Sequence, residues 1–177
     1  GDGIDAHAAA VRLFADANLT FLISSSFSKS FSLYGERVGP LTLVAANREE
    51  SARVLSQLKR VIRTNYSNPP THGGTVVAHV LGQPELRAEW ETELAGMRDR
   101  IRDMRKALVQ KLKDRGVERN FDFVLKQRGM FSYSGLTADQ VDRLREEHAV
   151  YAIGTGRICV AALNSRNIVA VGDCIGA

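Results

Sequence analysis

The sequence predicts an α/β fold followed by a smaller α+β part, and three observations predict it. Residues 5–45 read as helix, apolar strand, serine-rich loop and apolar strand, which is the grammar of an α/β layer. From Pro84 to Arg115 apolar residues recur at steps of three and four. Such a helix of about thirty residues would extend roughly 45 Å, more than a small domain, so it is expected to bridge two of them. Beyond it, short apolar runs surround a single helical pattern.

Each element has its own signal. Val11, Leu13 and Phe14 among alanines mark a helix over 5–17, with Asp5 a plausible N-cap. Residues 20–24 and 41–45 are short apolar strands, expected to be buried, with Gly39-Pro40 opening the second. Residues 49–64 form an amphipathic helix with Val54, Leu58, Val61 and Ile62 on its apolar face. Two asparagines, two prolines and two glycines within 65–74 predict a rigid irregular loop, followed by a short helix over 75–81. Pro84 suits the first turn of the long helix, Leu86, Trp90, Leu94, Met97, Ile101, Met104, Leu108 and Leu112 form its stripe, and Gly116 ends it. After it come strands near 121–125 and 130–134, a helix over 137–148, strands near 150–153 and 157–161, and a last helix from about 165 to 177.

Composition narrows the function classes. The chain has 177 residues, 44% hydrophobic and 25% charged, which fits one globular domain or one and a part. No apolar run reaches the ~18–20 residues of a membrane span, and the polar opening is not a secretory leader. Cys159 and Cys174 lack metal or CxxC spacing and read as reduced thiols of a cytoplasmic protein, with no metal site. The net charge of +4 is spread among acids, notably from Arg98 to Arg119, and reads as a solvated helix face. A basic module binding nucleic acid is the reading from a different class. It lacks the clustered basic face and interleaved aromatics that such binding uses.

The chemistry concentrates in residues 24–39, SSSFSKSFSLYGERVG. Lys29 follows an apolar strand in a loop crowded with Ser25, Ser26, Ser28 and Ser30. Small hydroxyls and free backbone amides after a strand suit an oxyanion such as phosphate. Arg37, eight residues on, adds a planar and always-charged fork. A lysine beside a phosphate site is also what pyridoxal phosphate requires. A surface turn with a solvated lysine would carry the same pattern, so spacing alone leaves both readings open.

That stretch resembles the cofactor-lysine motif of class I pyridoxal-phosphate-dependent aminotransferases, in the aspartate/aromatic subgroup. IRTNYSNPPTHG, RNFDFVLKQRGMFSYSGL and YAIGTGRICVA resemble the same subgroup in order and spacing, so the resemblance covers essentially the whole chain. It implies the fold of pyridoxal-phosphate-dependent transferases (fold type I). Residues 1–96 would be the end of the large cofactor domain and 97–177 the small C-terminal domain, joined through the long helix. It implies pyridoxal 5'-phosphate on Lys29, with Ser26, Ser28 and Arg37 holding the phosphate. Arg157, otherwise a strand-edge arginine, would bind the substrate α-carboxylate. Arg63, otherwise an arginine near a helix end, would reach the distal carboxylate across a homodimer interface. Ser67 and Asn68 would line the same pocket, and Phe131 would stand near the substrate side chain. Phe131 and Tyr133 are expected to be partly core, and Tyr66 and His72 to pack the loop.

The activity implied is transamination between an L-amino acid and a 2-oxo acid such as 2-oxoglutarate. Arg63 favours dicarboxylates, while RNFDFVL, QRGMFSY and QVDRLREEHAVY look closer to the aromatic branch. An aromatic enzyme that also accepts aspartate and glutamate is therefore preferred to a strict aspartate enzyme. In the family, the acid on the pyridine nitrogen, the tyrosine near the ring oxygen and the stacked ring lie upstream of these residues. These 177 residues by themselves are expected not to transaminate.

Overall fold

The computed structural model describes residues 3–176. Its contacts divide into two compact units, residues 3–94 and 95–176. The first holds helices α1 (Ile4–His7) and α2 (Ala9–Asp16), strands β1 (Phe21–Ser24) and β2 (Leu41–Val44), and helices α3 (Arg48–Asn65) and α4 (Thr71–Gly82). Helix α5 (Pro84–Asp114) contributes to both. The second adds α6 (Phe123–Lys126), β3 (Phe131–Tyr133), α7 (Ala138–His148), β4 (Arg157–Cys159), a 3-10 turn (Val160–Ala162) and α8 (Ile168–Ile175).

In the first unit β1 and β2 pair antiparallel, Phe21 opposite Val44 and Ser24 opposite Leu41. Asn47 caps α3 by accepting the Glu50 N–H at 2.9 Å, and the Glu50 carboxylate returns to Ala46 N–H at 3.0 Å. Val77 of α4 is buried, and Gly73 lets α4 approach residues 36–38: a Cβ there would lie 2.8 Å from Glu36 Cβ.

The second unit is built on α5. Leu108, Val109 and Leu112 pack with Phe121, Val124, Val160 and Leu163 into its main core, and Ile158, Ile168 and Val171 close around it. Each such side chain contributes about 1.5–3 kcal/mol on burial. α7 starts with a capping box between Thr137 and Gln140 and lays Val141 and Leu144 against Leu136. β3 and β4 pair antiparallel, Phe131 with Cys159, Ser132 with Ile158 and Tyr133 with Arg157. α5 is one helix of 31 residues, closed by Gly116 at φ 71° as expected of a residue just past a helix end.

Several expectations are corrected. The first helix breaks at Ala8, and Asp5 lies inside α1 and pairs with Arg12 at 2.7 Å instead of capping. β1 and β2 are not buried: Leu22 and Leu41 are exposed. Val61 is exposed too, because α3 buries only the narrower line of Val54, Leu58 and Ile62 in part. The loop expected over 65–74 ends at Pro70, which precedes the first turn of α4, so His72, Gly73 and Gly74 are helical. Residues 121–125 form no strand: Phe121 and Val124, three apart, are the buried pair, which is helical spacing, and α6 follows Asp122. Residues 150–153 form no strand either, since a turn from Ile153 to Gly156 leaves a single bridge, Ile153 with Arg157. α8 begins at Ile168 because Asn164 and Asn167 bond each other's backbone N–H groups first; Ala177 lies outside the described residues. The arginines of α5 are not all solvated, as Arg105 is 3% exposed and Arg100 donates to the Ala161 and Leu163 carbonyls.

Candidate functional site

Residues 25–40 form a hairpin that continues the β1–β2 pairing. Ser25 N–H donates to Pro40 O at 3.0 Å and Phe27 N–H to Val38 O at 3.2 Å. Gly39 is required by this approach, because a Cβ on it would lie 2.0 Å from the Ser25 carbonyl oxygen. The tip is held from inside. Trp90 Nε1 donates to Ser30 O at 2.7 Å, its indole stacks on Phe31 at 4.7 Å, and Phe31 meets Phe27 edge-on at 5.3 Å.

Lys29 occupies that tip and is exposed. Its ammonium lies over the Tyr34 ring, 5.4 Å from the centroid, while Arg37 Nη1 donates to the Tyr34 carbonyl at 2.9 Å. Ser28 is buried and donates its backbone N–H to Ser26 Oγ at 3.2 Å; the Ser26 and Ser28 hydroxyls are 3.0 Å apart. Ser32 and Arg37 both have positive φ, 56° and 52°. Left-handed backbone at non-glycine residues is costly and gathers at ligand-holding segments. The donor set fits a phosphate ester that also bears an aldehyde: a primary amine, two hydroxyls and a guanidinium whose five N–H donors exceed its one bond to Tyr34.

Arg63 lies in the last turn of α3 and donates to Ser67 Oγ, with Ser67 at φ 71°. Tyr66 and Ser67 both return their N–H groups to Ile62 O at 3.1 Å, which closes the helix, and Asn68 N–H follows to Tyr66 O at 2.9 Å. Arg63 and Asn68 are exposed. Tyr66 does not pack the loop, being 52% exposed, and the His72 ring pairs with Glu36 at 3.0 Å.

In the second unit the β3–β4 pair sorts residues by face. Ser132 and Ile158 turn to the core, so Phe131, Tyr133, Arg157 and Cys159 share the other face. Phe131 and Tyr133 are therefore exposed and not partly core. Arg157 lies opposite Tyr133 and diagonal to Phe131, with its guanidinium carbon 4.7 Å from the Phe131 ring centroid. Gly156, at φ 79°, brings the strand in so closely that a Cβ would lie 2.6 Å from Leu136 O.

Sequence reasoning missed Trp90, Gly39, Gln127 and Arg105, whose bonds or close approaches go to the backbone of the hairpin and of β3. Trp90 was visible only as a stripe residue, and the carbonyls it and Arg105 meet carry no sequence signal. Among the described residues no group of three or more His, Cys, Asp or Glu is placed to hold a metal ion. No helix among them is long and apolar enough to cross a membrane.

The family model for aminotransferase class I and II matches residues 1–172. The aspartate aminotransferase of Pseudomonas aeruginosa is 69% identical over 168 residues, 95% of this chain and 42% of that protein. The aromatic-amino-acid aminotransferase of Escherichia coli (strain K12) is 54% identical over 168 residues, with the same 95% and 42% covered. The crystal structure of the aromatic-amino-acid aminotransferase from Burkholderia pseudomallei covalently bound to pyridoxal phosphate matches with a TM-score of 0.95 at 67% identity. That match covers 99% of this chain and 44% of that one. The chain spans a little under half the length of the relatives it matches. Sequence and backbone agree over nearly all of it, and the chain belongs to the class I and II aminotransferases and shares their fold.

Proposed function

We propose that the protein containing this chain transfers an amino group between an aromatic or dicarboxylic L-amino acid and a 2-oxo acid such as 2-oxoglutarate, with pyridoxal 5'-phosphate carried on Lys29. The carrying observation is the hairpin tip, where a lysine, two serine hydroxyls and an arginine fork are fixed on one short loop held by Trp90. When bound, the cofactor supplies an electron sink for the pair left on the substrate Cα. Ser26, Ser28 and Arg37 bind its phosphate. Lys29 Nζ would hold the cofactor's aldehyde carbon and, as a free amine, would take the proton from the substrate Cα as general base. Arg157 donates two N–H bonds to the α-carboxylate in a bidentate pair that orients the Cα–H bond, and the Phe131 ring, 4.7 Å from the guanidinium carbon, borders the side chain.

Arg63 and Asn68 bind the distal group of the substrate in this reading. Two relatives at 69% and 67% identity carry different names, aspartate in one and aromatic-amino-acid in the other, so both substrate classes belong to the proposal. Strict aspartate use is the second reading, and Arg63, which suits a distal carboxylate, is compatible with both. Residues 1–96 are assigned to the large cofactor domain and 97–177 to the small domain of a cytoplasmic homodimer.

Borohydride reduction of the full-length protein with its cofactor, followed by peptide mapping, tests the assignment. The label is expected on Lys29, and label on another lysine would refute it. Turnover with phenylalanine, tyrosine and aspartate, each with 2-oxoglutarate, separates the dual-specificity enzyme from the strict aspartate one.

A further inference from the structure

Among the described residues, the strand that carries Phe131 and Tyr133 pairs with β4. Ser134 N–H donates to Gly156 O and Val160 N–H to Met130 O, both at 2.9 Å. In an antiparallel ladder the bonded pairs alternate, so Phe131 and Tyr133 are non-bonded positions relative to β4. Their own N–H and C=O groups therefore point away from β4, along the other edge of the strand. Two side chains occupy it. Gln127 Nε2 donates to Tyr133 O at 2.9 Å, and Tyr133 N–H donates to Gln127 Oε1 at 2.8 Å. Arg105 Nη2 donates to Phe131 O at 2.9 Å and to Gly129 O at 2.7 Å.

A primary amide offers one carbonyl acceptor and N–H donors, the same set that a residue of a neighbouring strand would present. Gln127 thus bonds Tyr133 as a residue of a neighbouring strand would. That residue faces Arg157 directly across the pair, where non-bonded partners approach most closely, at about 4.5 Å between Cα atoms. We infer that Gln127 is a positioning residue for the substrate carboxylate subsite: its amide fixes the edge of β3 at Tyr133 and thereby the placement of Arg157 against Phe131. This rests on the assignment of Arg157 to the α-carboxylate. It adds that the subsite's geometry is set from the far side of the strand, by a residue that does not touch substrate.

The consequence is specific. Every substrate shares the α-carboxylate, so loosening this edge weakens aromatic and dicarboxylic amino acids alike. Loss of a side-chain contact at Arg63 or Asn68 would instead separate the two classes. Because Gln127 is only partly buried, its replacement leaves the core of the unit intact.

The experiment uses the full-length protein with its cofactor. In Gln127→Leu, KM for aspartate and for phenylalanine is expected to rise at least fivefold and by similar factors. kcat should stay within about twofold and cofactor absorbance should be unchanged. Gln127→Glu keeps an acceptor for Tyr133 N–H and is expected to fall between wild type and Gln127→Leu. Arg157→Leu serves as the control for the underlying assignment. If Arg157→Leu raises KM while Gln127→Leu does not, the inference is overturned and the subsite stands. If Arg157→Leu leaves KM unchanged, the subsite assignment itself is wrong. A joint loss of kcat and cofactor content in both Gln127 variants would mark a merely structural role and overturn the inference as well.

Discussion

Replacing Arg105 with methionine is expected to loosen the β3 region by about 3 kcal/mol, although its bonds among the described residues go to carbonyls and a hydroxyl. The guanidinium is 3% exposed and donates to Val124 O at 3.1 Å, Gly129 O at 2.7 Å, Phe131 O at 2.9 Å and the Ser132 hydroxyl. Burial, and after it the nearby Arg128 charge, lowers its pKa from the usual arginine value. Removing it deprives the buried Ser132 hydroxyl, 2% exposed, of its donor, and leaves the Val124 carbonyl, in a residue 1% exposed, with only the Gln127 N–H at 3.3 Å. Each buried unsatisfied acceptor costs about 1–3 kcal/mol, and the two outer carbonyls, which water can reach, cost less. Against that sum stands the recovered desolvation of a charged group, worth several kcal/mol in gross terms but already offset by the four bonds. Methionine keeps much of the apolar stem contact, which leaves the polar loss to dominate. A net loss of about 3 kcal/mol corresponds to roughly a hundredfold faster amide exchange when opening is local. Hydrogen exchange of the full-length protein, read by mass spectrometry on peptides covering residues 128–136, measures it. Protection within threefold of wild type would refute the reasoning, because the acceptors would then have found other partners at no cost.

Two further predictions follow from local geometry and charge. Gly39→Ala places a Cβ 2.0 Å from the Ser25 carbonyl oxygen, a backbone atom, so the hairpin must splay at a cost of about 1–3 kcal/mol; cofactor content of the purified full-length protein should fall at least tenfold, and full occupancy would contradict it. The Asp173 carboxyl is held below its usual pKa, first by the Lys111 hydrogen bond at 3.0 Å, against a smaller opposing effect of burial, and with Arg115 at 2.7 Å assisting. A carboxyl depressed on folding stabilises above its unfolded pKa of about 3.9 and loses that contribution as pH falls through the lower folded value. Asp173→Asn should therefore flatten the acid branch of the urea-midpoint profile below about pH 4, and an unchanged slope would exclude the pair as a source of acid sensitivity.

The sequence made the regular elements legible where period and punctuation coincide. α5 is the clearest case, with its stripe, its opening Pro84 and Gly116 at φ 71° just beyond its end. α7 was expected over 137–148 and runs from Ala138 to His148, where the structure adds the capping box between Thr137 and Gln140. Short apolar runs were the failures. Residues 121–125 and 150–153 have strand-like composition, yet one turns helical after Asp122 and the other is taken up by the turn at Gly156. In such runs a single local hydrogen bond outweighs propensity, and composition does not reveal it. The residues proposed to handle cofactor and substrate were named from motifs alone. What the motifs do not carry is support: Trp90 at the Ser30 carbonyl and Arg105 at the β3 edge act on backbone oxygens 60 and 26 residues away.

The two supports share one physical logic. An exposed lysine or arginine on a short loop or strand has many conformations, and holding it for chemistry costs entropy that its own contacts do not recover. In the hairpin the restraint comes from the indole N–H and the Phe27–Phe31–Trp90 ring ladder, which fix the backbone beside Lys29 without occupying its amine. In the β3–β4 pair it comes from Gln127 and Arg105, which bond Tyr133 N–H, Tyr133 O and Phe131 O along the outer edge while Phe131 and Arg157 remain exposed on the face. Restraint applied to backbone carbonyls leaves the reactive atoms free to meet a ligand, whereas restraint applied to the side-chain heads would compete with it. Loss of such a support should therefore appear as misplacement, a higher KM or lower cofactor occupancy, before it appears as unfolding.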